Sequence, residues 1–281
     1  MKRSLDSLRP LLRIVQFYLS WFAALVILDI LGELTLGHAA LNSREPLFQW
    51  ISLISIIVAT WLMVRRVDKL PWSEVGLGRA AGSPPLILKG AAWGGLTIGA
   101  ASLLLFGIHM LRIDPTTPGS WWGEAWHSTF IFLPAGFFEE LFSRGYVFAV
   151  LRRTWGWKLA LIVTSVVFGL LHAWNPGADA ESILAVTVAG FFLGAILLAT
   201  RSLYAAGAAH FAWNWVMAGG LHMAVSGVPS LDPDYRVVET GPDWVTGGPW
   251  GPEGGFMAVA AMFVGILYLY GRHLRRMEWK A

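Results

Sequence analysis

No cysteine occurs in the 281 residues, which excludes disulfides, thiolate metal sites and a cysteine nucleophile. Charge is scarce as well. Charged residues make up 14% of the chain, where soluble domains carry about 25%. The phosphate-cradling signature GxxxxGK[ST] is missing, as is HExxH, and no inverted repeat of the kind that marks many transporters is visible. What the sequence has in excess is apolar surface: 56% of its residues are hydrophobic, and its mean hydropathy is +0.56. A soluble chain of this size would have to hide that surface in its own core, whereas a bilayer solvates it directly. The composition therefore points to an integral membrane protein with lipid around it. The formal charge of +3 is modest, and no nucleic-acid partner is expected.

A membrane helix needs about 20 mostly apolar residues. Such runs occur at roughly 14–36, 48–64, 86–110, 127–150, 157–174, 182–200, 203–225 and 256–272. The expected fold is all-α, a polytopic helix bundle of about eight transmembrane helices. The basic start, MKRSLDSLRPLLR, leads into an apolar stretch longer than the roughly 7–15 residues of a signal-peptide core, so it reads as a retained first span. With the N-terminus inside, one face collects Lys2, Arg3, Arg65, Arg66, Arg79, Arg152, Arg153, Arg201, Arg275, Arg276 and Lys280, among others. The opposite face receives only Arg44, Arg112 and Arg236. By the positive-inside rule both termini are expected to be cytoplasmic. The polar stretch 226–255, ending in TGGPWGPEGG, falls on the outer side and reads as a loop of tight turns. Gly90/Gly94 and Gly190/Gly194 place small residues one turn apart, a spacing that lets helices approach closely.

Most polar residues lie at span borders, where they are cheap. His38, His109, His127 and His273 need no special account there. Asp29 and Glu33 read as interfacial, and His222 as a structural hydrogen-bonding group. Six residues do not fit this scheme: Glu139, Glu140 and Arg144 in the fourth span, His172 at the end of the fifth, and His210 and Asn214 in the seventh. Polar groups at such depth are costly unless paired or open to a water-filled cavity. In FFEELFSRG, Glu140 and Arg144 stand four residues apart and can pair on one helix face. Glu139 points about 100° away and is left for another task. Phe168 and His172 share a face, as do His210 and Asn214. Three helices can thus bring a carboxylate, two imidazoles and an amide to one cavity. A glutamate there can remove a proton from water, and imidazole and amide donors can hold the oxyanion formed when water attacks a carbonyl.

The set Glu139-Glu140-x-x-x-Arg144, Phe168-x-x-x-His172 and His210-x-x-x-Asn214 resembles the three motifs of the CAAX-protease and bacteriocin-processing family of intramembrane peptidases. EELFSRG, FGLLHAWNP and HFAWNW resemble family segments in their flanking detail too. The resemblance covers roughly residues 120–220 and extends toward the TGGPWGPEGG loop. It implies that residues 1–115 supply three helices without a motif, and that 116–281 form the catalytic core of one integrated membrane domain. It implies further that Glu139 activates water with help from His172, that His210 and Asn214 stabilise the oxyanion, and that Glu140 and Arg144 support the site. Ser143 stands where many members have an aromatic residue, a departure that touches packing.

Two chemistries stay open at this point. Glu139, His172 and His210 could hold Zn²⁺ with water in the fourth position; the preferred reading requires no cofactor and uses Glu139 alone as the base. The expected partner is a peptide or membrane-protein substrate, and the expected location is the inner (plasma) membrane of a bacterial cell. A non-enzymatic peptide-binding or immunity protein is the first alternative, and a transporter the second.

Overall fold

The structure, a computed structural model, describes residues 2–40, 44–114, 119–230 and 234–272, without the side chains of 2–8, 36–40, 44–45 and 272. His273, Arg275, Arg276 and Lys280 lie outside the described residues, as do the side chains of Lys2, Arg3, His38 and Arg44.

The protein is an integral membrane protein and is mostly helical. Its elements are α1 (Lys2–Ala40), α2 (Arg44–Trp61), α3 (Pro84–Gly107), β1 (Leu111–Asp114), α4 (Trp121–Glu140), α5 (Tyr146–Leu171), α6 (Ala180–Thr200), α7 (Leu203–Trp215), β2 (Arg236–Glu239), α8 (Asp243–Thr246) and α9 (Phe256–Arg272). Among the described residues, five helical stretches are long and apolar enough to cross a membrane: Arg9–Thr35, Pro46–Val67, Pro84–Gly107, Trp121–Trp174 and Ala180–Thr200. The stretch Trp121–Trp174 holds the fourth and fifth expected spans. They are divided at Gly156, whose φ of 82° and ψ of 162° no helix contains. At 1.5 Å per residue, Glu139 lies about 25 Å of helix before that bend and His172 about 24 Å after it. A reversal there returns the chain to the level it left.

Three sequence expectations need correcting. The seventh span was expected to run through 203–225, but α7 ends in a π turn at Val216–Gly220, and His222 sits beyond it with φ of 53°. Gly219 and Gly220 account for this, since adjacent glycines hold a helix poorly. The chain is also not wholly α. β1 pairs antiparallel with β2, Leu111 opposite Glu239 and Asp114 opposite Arg236. This ribbon ties the segment after α3 to the long loop before α9. His222 does not make the side-chain hydrogen bond expected of it: both ring nitrogens are buried without a hydrogen-bond partner among the described residues, although Nδ1 lies 3.2 Å from Asp234 Oδ1 and the ring stacks on Tyr235.

Close helix packing sets the interior. A methyl group added at Gly90 or Gly94 would run into the backbone of Ala205 or Ala209, so α3 and α7 touch main chain to main chain. Gly190 likewise lies against the Ser165 backbone, joining α6 to α5. The register of α7 is fixed at its start. Ser202 Oγ accepts from the Ala205 amide at 3.0 Å and donates to the Ala81 carbonyl at 2.6 Å. On the other side, Phe17 and Tyr18 of α1 pack on Tyr146 and Phe142 with ring centroids 5.3 and 4.7 Å apart. The Tyr146 hydroxyl donates to Asp68, which also pairs with Arg13 at 3.0 Å.

Candidate functional site

The last turn of α4 carries Glu139 and Glu140 into different surroundings. Glu140 is fully buried, while the Glu139 side chain is 30% exposed to a cavity. The segment after them, Leu141–Gly145, is a π turn; α7 also passes into one just after Asn214. Such local widenings are frequent at functional sites.

Arg144 is the structural pivot beneath the site. Its guanidinium donates to Glu140 Oε1 at 2.6 Å and to the Gly190 carbonyl at 3.1 Å, and it lies 4.5 Å over the Phe168 ring. It therefore joins α4, α6 and α5 at one point. Both members of the Glu140–Arg144 pair are completely shielded from solvent, so neither charge has water as a substitute partner. Phe168 in turn packs against both imidazoles, with centroids 4.8 Å from His172 and 5.9 Å from His210.

The two histidines are presented alike. His172 Nδ1 lies 2.8 Å from the Phe168 carbonyl, and His210 Nδ1 lies 3.2 Å from Glu140 Oε1. A carbonyl or carboxylate oxygen at Nδ1 selects the tautomer with the proton on that nitrogen. Each Nε2 is then left facing Glu139 Oε2, at 3.8 Å from His172 and 3.9 Å from His210. These gaps are too long for direct hydrogen bonds, and separations of this size are commonly bridged by water. Glu139 Oε2 has no hydrogen-bond partner among the described residues. Asn214, 6% exposed, lines the same cavity one turn beyond His210.

A zinc site would fit the donor types, since each Nδ1 is anchored as histidine ligands usually are. Among the described residues, no group of three or more His, Asp or Glu is gathered closely enough to hold a metal ion.

Glu139, His172, His210 and Asn214 thus come together around one cavity of about 610 Å³, with Glu140 and Arg144 directly beneath. Three features of this site were missed by sequence reasoning. Glu140 serves His210 as well as Arg144. Asp29 and His127, read as border residues, line the cavity. Glu253, from the glycine-rich loop, is buried beside Trp213: it accepts from the indole N–H at 2.9 Å and from the Ser226 amide and hydroxyl at 2.7 and 2.6 Å. The one available signal was a carboxylate set among turn residues. Ser226 forms part of the cavity wall, and its carbonyl accepts from Asn175 Nδ2 at 3.1 Å.

Residues 120–216 match the family described as Type II CAAX prenyl endopeptidase Rce1-like. The match spans α4 to α7 and takes in every residue of the three motifs. No curated protein and no solved structure matches the chain.

Proposed function

We infer that this chain, which over residues 120–216 belongs to the Rce1-like type II CAAX prenyl endopeptidases, is an intramembrane endopeptidase of the glutamate type. The observation that carries the reading is the convergence of Glu139 Oε2 on the Nε2 atoms of His172 and His210 at 3.8 and 3.9 Å, inside a cavity. In this mechanism a water bound between them loses a proton to Glu139 as its oxygen attacks the peptide carbonyl. His172 Nε2 accepts the second hydrogen of that water and holds it in line. The oxyanion is met by the Asn214 amide N–H groups. His210 adds an Nε2–H when its ring carries both protons, its Nδ1–H staying on Glu140. Glu139 then delivers its proton to the leaving amine as the C–N bond breaks, so one water is consumed per bond. General base and oxyanion contributions of this kind are worth about 10²–10⁴-fold and 10²–10³-fold. This reading routes no step through a metal.

The same reading places eight crossings in the bundle, both termini on the cytoplasmic side, and the protein in a bacterial plasma membrane. Residues 1–115 then buttress the catalytic part, 116–281; the backbone contact of α3 with α7 supports treating them as one unit. The test compares the membrane proteomes of cells producing the wild type or Glu139→Gln. New peptide termini present only with the wild type are expected; identical sets of termini would overturn the reading.

A further inference from the structure

Glu139 stands partway along one helical run, in which α4 continues through the π turn into α5. At 1.5 Å per residue, Glu124 lies about 22 Å before it and Arg152 about 20 Å after it. The cavity follows the first direction alone. Glu124, Ser128 and Ala135 line it on the face of α4 that carries Glu139. The other walls come from the same end of the bundle: Phe48 from the start of α2, Asn175 from just after α5, and Val228 from beyond α7. Val228 and Pro229, exposed in the loop after α7, mark the mouth. The second direction is sealed. Glu140 and Arg144 are shielded from solvent, and beyond them Tyr146, Phe148, Ala149 and Leu151 are at most 3% exposed. These four pack into one apolar core with Phe17, Met63 and Leu198.

Polar contacts show which segments share the sealed end. Arg152 pairs with Glu74 at 2.6 Å and Arg13 with Asp68 at 3.0 Å, which gathers the start of α1 and the connection from α2 to α3 there. The Leu203 amide donates to the Gly76 carbonyl at 2.9 Å and brings the turn at Arg201 to the same place. Arg65, Arg66 and Arg79 lie on that connection, and Lys158 follows the bend at Gly156. The cavity end is tied together separately, by Asn175 donating to the Ser226 carbonyl at 3.1 Å and by the β1–β2 ribbon. By sequence its basic residues are Arg44, Arg112 and Arg236. Lysine and arginine are retained on the cytoplasmic side of membrane proteins. A bundle whose sealed end carries the cations therefore has its cavity on the other side.

We propose that the cavity opens on the extracytoplasmic face, and that its substrates are polypeptide segments already translocated there: exported chains, or the outer loops and ends of membrane proteins. The substrate half of this statement rests on the peptidase reading; the side of opening does not. Export is then the step that supplies the substrate, and Glu139 acts after it. A soluble protein of the cytoplasm cannot reach the site, whatever its C-terminal sequence.

The lack of native cysteine makes the full-length chain ready for the test. Three single variants are made: Val228→Cys at the mouth, Ala135→Cys one turn before Glu139 in the cavity, and Ala80→Cys, exposed at the sealed end. Each is treated in the membrane with a methanethiosulfonate bearing a quaternary ammonium, whose fixed charge keeps it from crossing lipid. Intact-protein mass spectrometry reads the adduct, and protein unfolded in detergent sets complete labelling. In sealed spheroplasts Val228→Cys and Ala135→Cys are expected to label fully and Ala80→Cys not at all. In sealed inverted vesicles the pattern should reverse. Should Ala135→Cys fail to accumulate in the membrane, Phe48→Cys on the facing wall takes its place. Labelling of either cavity position only from the inverted side, or from neither side, overturns the proposal, as does labelling of Ala80→Cys in spheroplasts. Peptide termini that depend on Glu139, compared between wild-type and Glu139→Gln cells, separate the two readings. They are expected in translocated segments; termini confined to cytoplasmic segments overturn the side of access and leave the peptidase standing. Labelling from outside with no new termini counts against the peptidase alone.

Discussion

His210 takes its orientation from Glu140: Nδ1 of the imidazole lies 3.2 Å from the same Oε1 that receives Arg144 at 2.6 Å. One buried oxygen thus neutralises a cation and decides which imidazole nitrogen faces the cavity. Glu140→Ala strands Arg144 without a counter-charge in a solvent-free position, at a cost of about 3–5 kcal/mol in unfolding experiments in detergent. Replacing both partners, Glu140→Met with Arg144→Leu, should recover much of that stability. Peptide cleavage should stay lost, because His210 has no acceptor left to fix its ring.

Glu139 is expected to separate activity from stability in the opposite sense. Its side chain is 30% exposed and Oε2 has no partner, so Glu139→Gln should melt with the wild type. Cleavage, followed by mass spectrometry of peptide products, should fall by about 10²–10⁴-fold. Asn214→Ala should cost about 10²–10³-fold through the oxyanion. Treatment with a chelator should leave the wild-type rate unchanged; a loss restored by zinc would recast Glu139 as a ligand.

At Gly94 the prediction concerns packing. A methyl group there meets the backbone of Ala209, the residue before His210. Gly94→Ala should destabilise the bundle by about 1–3 kcal/mol. Because the strain falls on α7, cleavage should drop by more than this loss of folded protein explains. Gly107→Ala, where the added carbon meets nothing, is the control.

Glu253 tests the loop. Glu253→Gln turns an amide N–H toward the Trp213 N–H, or toward the Ser226 donors if the amide is reversed, at a cost of about 1–3 kcal/mol for the unsatisfied group. Combining it with Trp213→Phe removes the opposing donor and should return part of the loss in a thermal melt. Additive losses in the double variant would show that the carboxylate and the indole act independently.

The α6 N-terminus carries a pH signature. Asp179 Oδ1 accepts from the Ser182 backbone N–H at 2.8 Å, while Ser182 Oγ accepts from the Asp179 amide. The Ser182 N–H holds the carboxyl below its ordinary value of 3.8. Because the folded state favours the ionised form, the stabilisation is complete above that ordinary value and is lost as the pH falls through the lowered one. Asp179→Ala should therefore cost about 1 kcal/mol at neutral pH. The gap between variant and wild-type melting curves should close in strong acid.

What the sequence disclosed follows from cost. A carboxylate, an arginine or an imidazole inside an apolar run is conspicuous, and the four-residue spacings of Glu140 with Arg144, Phe168 with His172 and His210 with Asn214 already say which groups share a helix face. Glu253 was hidden for the converse reason, since a carboxylate in a loop of glycines and prolines carries no visible cost until the fold buries it. The end of α7 was misjudged because Leu221, Met223, Ala224 and Val225 keep the hydropathy high after Gly219 and Gly220 have ended the helix. The β1–β2 ribbon was missed because four-residue strands are too short to show a period. Asp29 and His127 could be placed only once α1, α2 and α4 were seen to enclose a common cavity.

The glycine seam between α3 and α7 also sets a timetable. In chain order α3, with Gly90 and Gly94, precedes its partner, which does not exist during synthesis until α4, α5 and α6 have been made. Until α7 docks, His210 and Asn214 are absent from the cavity while Glu139 is already in place. The set of side chains around the cavity is therefore complete only once α7 has been made and the bundle closes on that seam.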